Sequence, residues 1–82
     1  MKRIKVITRI NESGKVSTEF YEKEGFFKIN PLTEAQVFNY VPSNTLYELT
    51  RRQERTVMVR NLIDKQSHET KDDIRIYQDT AS

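Results

Sequence analysis

The chain has no cysteine and no tryptophan, one histidine, two glycines and two prolines among 82 residues. Without cysteine there is no disulfide, no thiolate metal site and no cysteine nucleophile. The single histidine, His68, lies between Ser67 and Glu69 with no triad or metal-motif partner near it, and reads as a solvated loop residue. Neither glycine belongs to a phosphate-cradling loop: Gly14 fits a hairpin turn and Gly25 a strand end. Asp72 and Asp73 are adjacent acids at a loop end, where nothing suggests the burial that acid–base work needs. No apolar run exceeds the three residues Val57-Met58-Val59, which excludes a membrane-spanning helix. The basic start, Met1 to Arg9, lacks the apolar core of a signal peptide. The expectation from these absences is a non-catalytic, cytoplasmic protein with no catalytic residues, no metal, no cofactor and no membrane partner.

What is present is charge. Fourteen Lys and Arg face twelve Asp and Glu, a net of +2, and mean hydropathy is −0.78. The small net charge and eight aromatics inside periodic segments argue for a folded domain rather than a disordered chain. Length allows one domain, expected over residues 1–78 with a frayed tail at 79–82. Along the chain the charge forms blocks. Residues 1–28 hold seven Lys and Arg against four Glu, and residues 51–60 hold Arg51, Arg52, Arg55 and Arg60 against Glu54 alone. The stretches after each block are net acidic.

Two alternating runs flank the turn Asn11-Glu12-Ser13-Gly14. Ile4, Val6, Thr8 and Ile10 share one side, as do Val16, Thr18 and Phe20, which predicts an N-terminal β-hairpin. Lys and Arg on the outer face of the first run meet Glu on the second, so cross-strand pairing accounts for that charge. After Gly25, Phe26-Phe27-Lys28-Ile29 reads as a short extension. Thr33 and Gln36 have capping-box spacing and predict a helix from about Thr33 to Val41, with Ala35, Phe38 and Val41 in one stripe. Pro42 stops it. Thr45 and Glu48 repeat the box and open a second helix, with Leu46, Leu49 and Gln53 on one face.

Residues 55–63 have two possible periods. Val57, Val59 and Ile63 would share a strand face, or Val57 would continue the helical face of Leu46, Leu49 and Gln53. The run Thr-Val-Met-Val is poor for a helix and favours the strand. Asp64 to Asp73 has no apolar anchor and reads as a mobile loop, and Ile74 to Gln78 as a final strand. The expected class is a small α+β domain in the order β-β-α-α-β-β, with an N-terminal hairpin, two short helices, a C-terminal hairpin and an antiparallel sheet.

The arginine block is the leading candidate site. On a helix, Tyr47, Arg51 and Arg55 fall at i, i+4 and i+8 on one face, with Arg52 beside them and Asn44 and Glu48 flanking. Arginine with tyrosine and asparagine suits phosphate and base-edge contacts. Arg60 and Lys65, on the following strand and loop, would add phosphate contacts. Ordinary pairing of Glu48 with Arg52, and of Arg51 with nearby acids, is the competing explanation.

Val41-Pro42-Ser43-Asn44-Thr45-Leu46-Tyr47-Glu48-Leu49 resembles the turn and second helix of excisionase-like winged helix-turn-helix proteins. The resemblance implies a second helix in the major groove and a wing built from residues 55–63 and 74–78. The sequence departs from that pattern: no glycine occupies the inter-helix turn, Pro42 intrudes, and the N-terminal hairpin has no counterpart.

Adjacent Phe26 and Phe27 would point to opposite faces of a strand, so one of them could anchor a partner while Phe20, Phe38 and Tyr40 fill the core. Two functions are therefore expected. One is a nucleic-acid-binding regulator using the arginine face. The other is a protein-binding inhibitor or adaptor, of the kind phages and mobile elements encode, acting through a sheet face or an exposed Phe. A homodimer through an edge strand is a third arrangement.

Overall fold

A computed structural model describes residues 2–25 and 28–76. Strands β1 (Lys2–Ile10) and β2 (Val16–Glu24) form the expected hairpin, and β3 (Lys28–Leu32) folds back on β2. A single helical turn, α1 (Glu34–Val37), and a long helix, α2 (Ser43–Asp64), precede the last strand, β4 (His68–Ile76). All pairings are antiparallel and the sheet order is β3-β2-β1-β4, so the chain is an α+β domain.

The hairpin follows from its turn. Asn11 Oδ1 accepts the Lys15 N–H at 2.8 Å, and Gly14 takes φ +91°, a conformation that favours glycine. This sets Ile10 opposite Val16 and Thr8 opposite Thr18, and the alternation then puts Ile4, Val6, Thr8 and Ile10 under α2. The core is aliphatic: Ile4, Val6, Val37, Val41, Leu46 and Leu49, with Phe20, Leu32 and Ile74 packed against it. Phe38 and Tyr40, expected inside, are 45% and 38% exposed because α1 lasts one turn instead of reaching Val41. Its capping box forms as expected, with Gln36 N–H to Thr33 Oγ1 at 3.2 Å and Thr33 N–H to Gln36 Oε1 at 2.8 Å.

The expected order β-β-α-α-β-β with two short helices is corrected to β-β-β-α-α-β, with one helical turn and one long helix, and three further expectations change. Residues 55–63 are helix, because α2 runs on to Asp64; the expected hairpin of residues 55–63 with 74–78 therefore does not form, and the winged-helix comparison loses its support. The second helix begins at Ser43 rather than being capped by Thr45, whose N–H instead meets Asn44 Oδ1 at 2.8 Å. The stretch read as a mobile loop is mostly β4, paired with β1 from Ile10↔His68 to Lys2↔Ile76. Tyr77 and Gln78, and the tail at 79–82, lie outside the described residues, as do Phe26 and Phe27. Both edge strands are guarded, β3 by Pro31 and β4 by its charged residues, which disfavours a dimer through an edge.

At one end of the sheet face away from α2 the charges pair across the strands. Arg9 donates to Glu19 at 2.6 Å and to Glu69 at 2.8 Å; Lys71 pairs with Glu69 at 3.1 Å, and Tyr21 Oη donates to Glu19 at 2.6 Å. Beneath this ladder Ile7, in register with Glu19 and Lys71, is buried by the stems of its neighbours. The Tyr21 hydroxyl and then Arg9 hold the Glu19 carboxyl below the ordinary range, and Arg9 and then Lys71 do so for Glu69. Carboxylates lowered in the fold lend stability that is present above their unfolded pKa and lost as pH falls through the folded value. The thermal midpoint should therefore be flat from neutral pH to about 5 and decline below about 4.5. The decline should be shallower in Arg9→Gln, as read by circular dichroism melts across pH.

Candidate nucleic-acid interface

Helix α2 lies on the sheet by a stripe one residue wide: Leu46, Leu49, Gln53, Val57 and Asn61. Steps of three and four keep these on one side of a 3.6-residue helix. Gln53 is the polar centre of the contact. It accepts from Thr8 Oγ1 at 2.7 Å and donates to the Val6 carbonyl at 3.1 Å, with Asp72 at 3.4 Å. At the far end Asn61 donates to the carbonyls of Gln66 at 2.8 Å and Asn11 at 3.3 Å. The helix stops at Lys65, left-handed at φ 59°, whose N–H meets the Asn61 carbonyl. His68, expected in a solvated loop, stands in β4 with Nε2 at 2.8 Å from both Asp64 oxygens. That contact, and then the Gln66 N–H, lower the Asp64 pKa.

With the inner stripe fixed, the opposite side of α2 faces solvent. Tyr47, Arg51, Arg52 and Arg55 are all exposed there, Tyr47 by 59%. The Arg51 guanidinium stacks over the Tyr47 ring at 5.3 Å and donates to its hydroxyl at 3.1 Å. Tyr47, Glu48, Arg51, Arg52, Arg55 and Thr56 outline a shallow groove of about 420 Å³. Among the described residues Arg51, Arg52 and Arg55 make no ion pair, so the expected alternative pairings with Glu48 and other acids do not form.

The remaining candidates are placed differently from expectation. Arg60 is in α2, not on a strand; it stands about 80° around the helix from Arg52 and about 180° from Arg51, so it borders the arginine face only on its Arg52 side. Lys65 is the helix cap, exposed, about 15 Å along the axis from Arg55. Sequence reasoning missed the neighbours of the arginines. Met58, Val59, Leu62 and Ile63 are 48%, 50%, 67% and 79% exposed on the C-terminal half of the same helix. The first three line a second groove of about 310 Å³ with Arg51, Glu54 and Arg55. The spacing 51, 55, 58, 62 would have shown them, had the helix been continued past residue 55.

The fold and this face together define a two-layer antiparallel α+β domain with an arginine-bearing outer helix. No family model matches the chain, and no curated protein or solved structure does either. Among the described residues no helix is long and apolar enough to cross a membrane.

Proposed function

We propose that the protein is a non-catalytic, cytoplasmic nucleic-acid-binding regulator whose contact surface is the outer face of α2. One observation carries this reading: Arg51, Arg52 and Arg55 project from one helix face with no carboxylate partner among the described residues. Arg9, by contrast, is clamped between two glutamates. Cations left unpaired on a rigid helix are available to phosphates at little cost in ordering. Tyr47 holds Arg51 upright and offers a ring and a hydroxyl to the same strand. Twenty-two residues give a helix about 33 Å long, matched in width to the major groove.

The test is a fluorescence-anisotropy titration into duplex DNA, single-stranded DNA and RNA at low and moderate salt. With about four phosphate contacts, affinity should fall roughly 150-fold between 50 and 200 mM salt. Arg51→Ala/Arg55→Ala should weaken binding at least tenfold and flatten the salt slope by about 1.8. No binding to any of the three at low salt would refute the reading.

The exposed Met58, Val59, Leu62 and Ile63 favour a second reading, a protein-binding adaptor that uses the C-terminal half of α2. Such a protein should show no salt-dependent nucleic-acid binding, and Leu62→Glu should abolish its partner contact without lowering its melting temperature.

A further inference from the structure

The strand register brings together charges that are far apart in sequence. On the sheet face away from α2, Arg3 stands directly opposite Lys23 of β2 on one side and Arg75 of β4 on the other. Lys5, one row along, faces Tyr21 and Asp73. Like charges directly opposed on neighbouring strands oppose folding. Here three occur in one row, with Arg3 and Lys23 half-buried. At the other end of the same face Arg9 is neutralised by Glu19 and Glu69, but none of Arg3, Lys5, Lys23 or Arg75 makes an ion pair among the described residues. Among the described residues, four cations against Asp73 leave this end of the face positive.

The row spans two inter-strand gaps, about 10 Å. One phosphate cannot meet three charges over that distance, whereas a backbone with regularly spaced phosphates can. We propose that the outer sheet face is a second phosphate-binding surface centred on Arg3, Lys23 and Arg75, so that one domain holds two nucleic-acid segments, one on each layer. This rests on the nucleic-acid reading of α2. Because the sheet and the helix face opposite ways, two duplexes can be held without competing for the same surface. The protein then acts as a bridge, and the charge row is relieved only when a strand lies across it.

The experiment immobilises a short duplex, loads the full chain at low salt, and measures capture of a second, fluorescent duplex. Wild type should capture it and release it as salt rises from about 50 to 200 mM. Arg3→Gln/Arg75→Gln should still bind the immobilised duplex but lose capture at least tenfold. Its thermal midpoint should rise by about 2–5 °C as the opposed charges are relieved, so a folding failure cannot mimic the result. Arg51→Ala/Arg55→Ala should also lose capture while still binding a single duplex through the sheet. Undiminished capture by Arg3→Gln/Arg75→Gln overturns the sheet surface and leaves the α2 reading standing. Wild-type affinity and capture in Arg51→Ala/Arg55→Ala overturn the α2 reading and the bridge with it. Binding of one duplex with no capture of a second, or capture of anionic phospholipid vesicles in its place, overturns the proposal outright.

Discussion

Gln53→Ala should lower stability by about 3 kcal/mol, through the cavity it leaves and the polar groups it strands. Gln53 is 2% exposed, and its amide is the buried polar link between α2 and the sheet. Among the described residues no buried side-chain nitrogen or oxygen lacks a partner, so the wild-type interface is fully satisfied. Alanine removes the acceptor of the Thr8 hydroxyl and leaves a void between Val6, Thr8 and the helix. A domain of this length is stable by about 4–12 kcal/mol, so the loss is a large share. The melting temperature should fall by roughly 12–24 °C. Gln53→Leu keeps the volume and should cost about 1 kcal/mol, since the Thr8 hydroxyl loses its 2.7 Å acceptor and keeps only Thr18 Oγ1 at 3.4 Å. Adding Thr8→Val should recover much of that, since both polar groups are then gone. A melt of Gln53→Ala within a few degrees of wild type would show that this link does not hold the layers together.

Met58→Pro should cost at least about 3 kcal/mol. Met58 is half-exposed on the outer side of α2, so little core is lost by replacing it. The penalty comes from the backbone: proline removes the hydrogen bond to the carbonyl four residues back, that of Glu54, and its ring clashes there. Met58→Ala, with the best helix former at the same site, should stay within about 0.5 kcal/mol of wild type. Urea denaturation followed by far-ultraviolet circular dichroism separates the two. Equal stability of the proline and alanine variants would mean that residues 55–63 are not helical.

That segment also shows where sequence reading stopped. Each β-branched residue in Thr56-Val57-Met58-Val59 carries a helix penalty of a few tenths of a kcal/mol. Against it stand the burial of Val57, fully inside, and the hydrogen bonds of Asn61, which extend the stripe of Leu49 and Gln53. Burial of one valine outweighs those penalties, but the sheet it packs on is not visible locally. The N-terminal hairpin was legible because its alternation and its turn are both local. Strand β4 was not, since its inward positions include His68, Thr70 and Asp72, and the backbone ladder to β1 that holds it leaves no mark in the local sequence. In the candidate site, Tyr47, Arg51, Arg52 and Arg55 needed only the helical period. Arg60 and Lys65 inherited the wrong helix end, and the exposed Met58 and Leu62 were hidden by the same error. In the row of Lys23, Arg3 and Arg75 only Arg75 needed β4; Arg3 and Lys23 lie on the outer face of the legible hairpin, where the expected pairing of cations with Glu forms at Arg9 and Glu19 but puts Arg3 opposite Lys23.

The pairing of β1 with β4 also bears on how the chain reaches this state. The hairpin, β3 and α1 connect neighbours, yet β1 keeps one flank open until β4 arrives, closing a loop of about 60 residues. Until then Ile4, Val6 and Ile10 sit on a strand with an unpaired edge, a template for any passing β-segment. Long-range pairing of this sort slows folding, and early species are the ones prone to aggregate. Arg3 and Lys5 stand on that waiting strand without an ion pair among the described residues, charges of the kind that discourage edge-to-edge pairing of two chains.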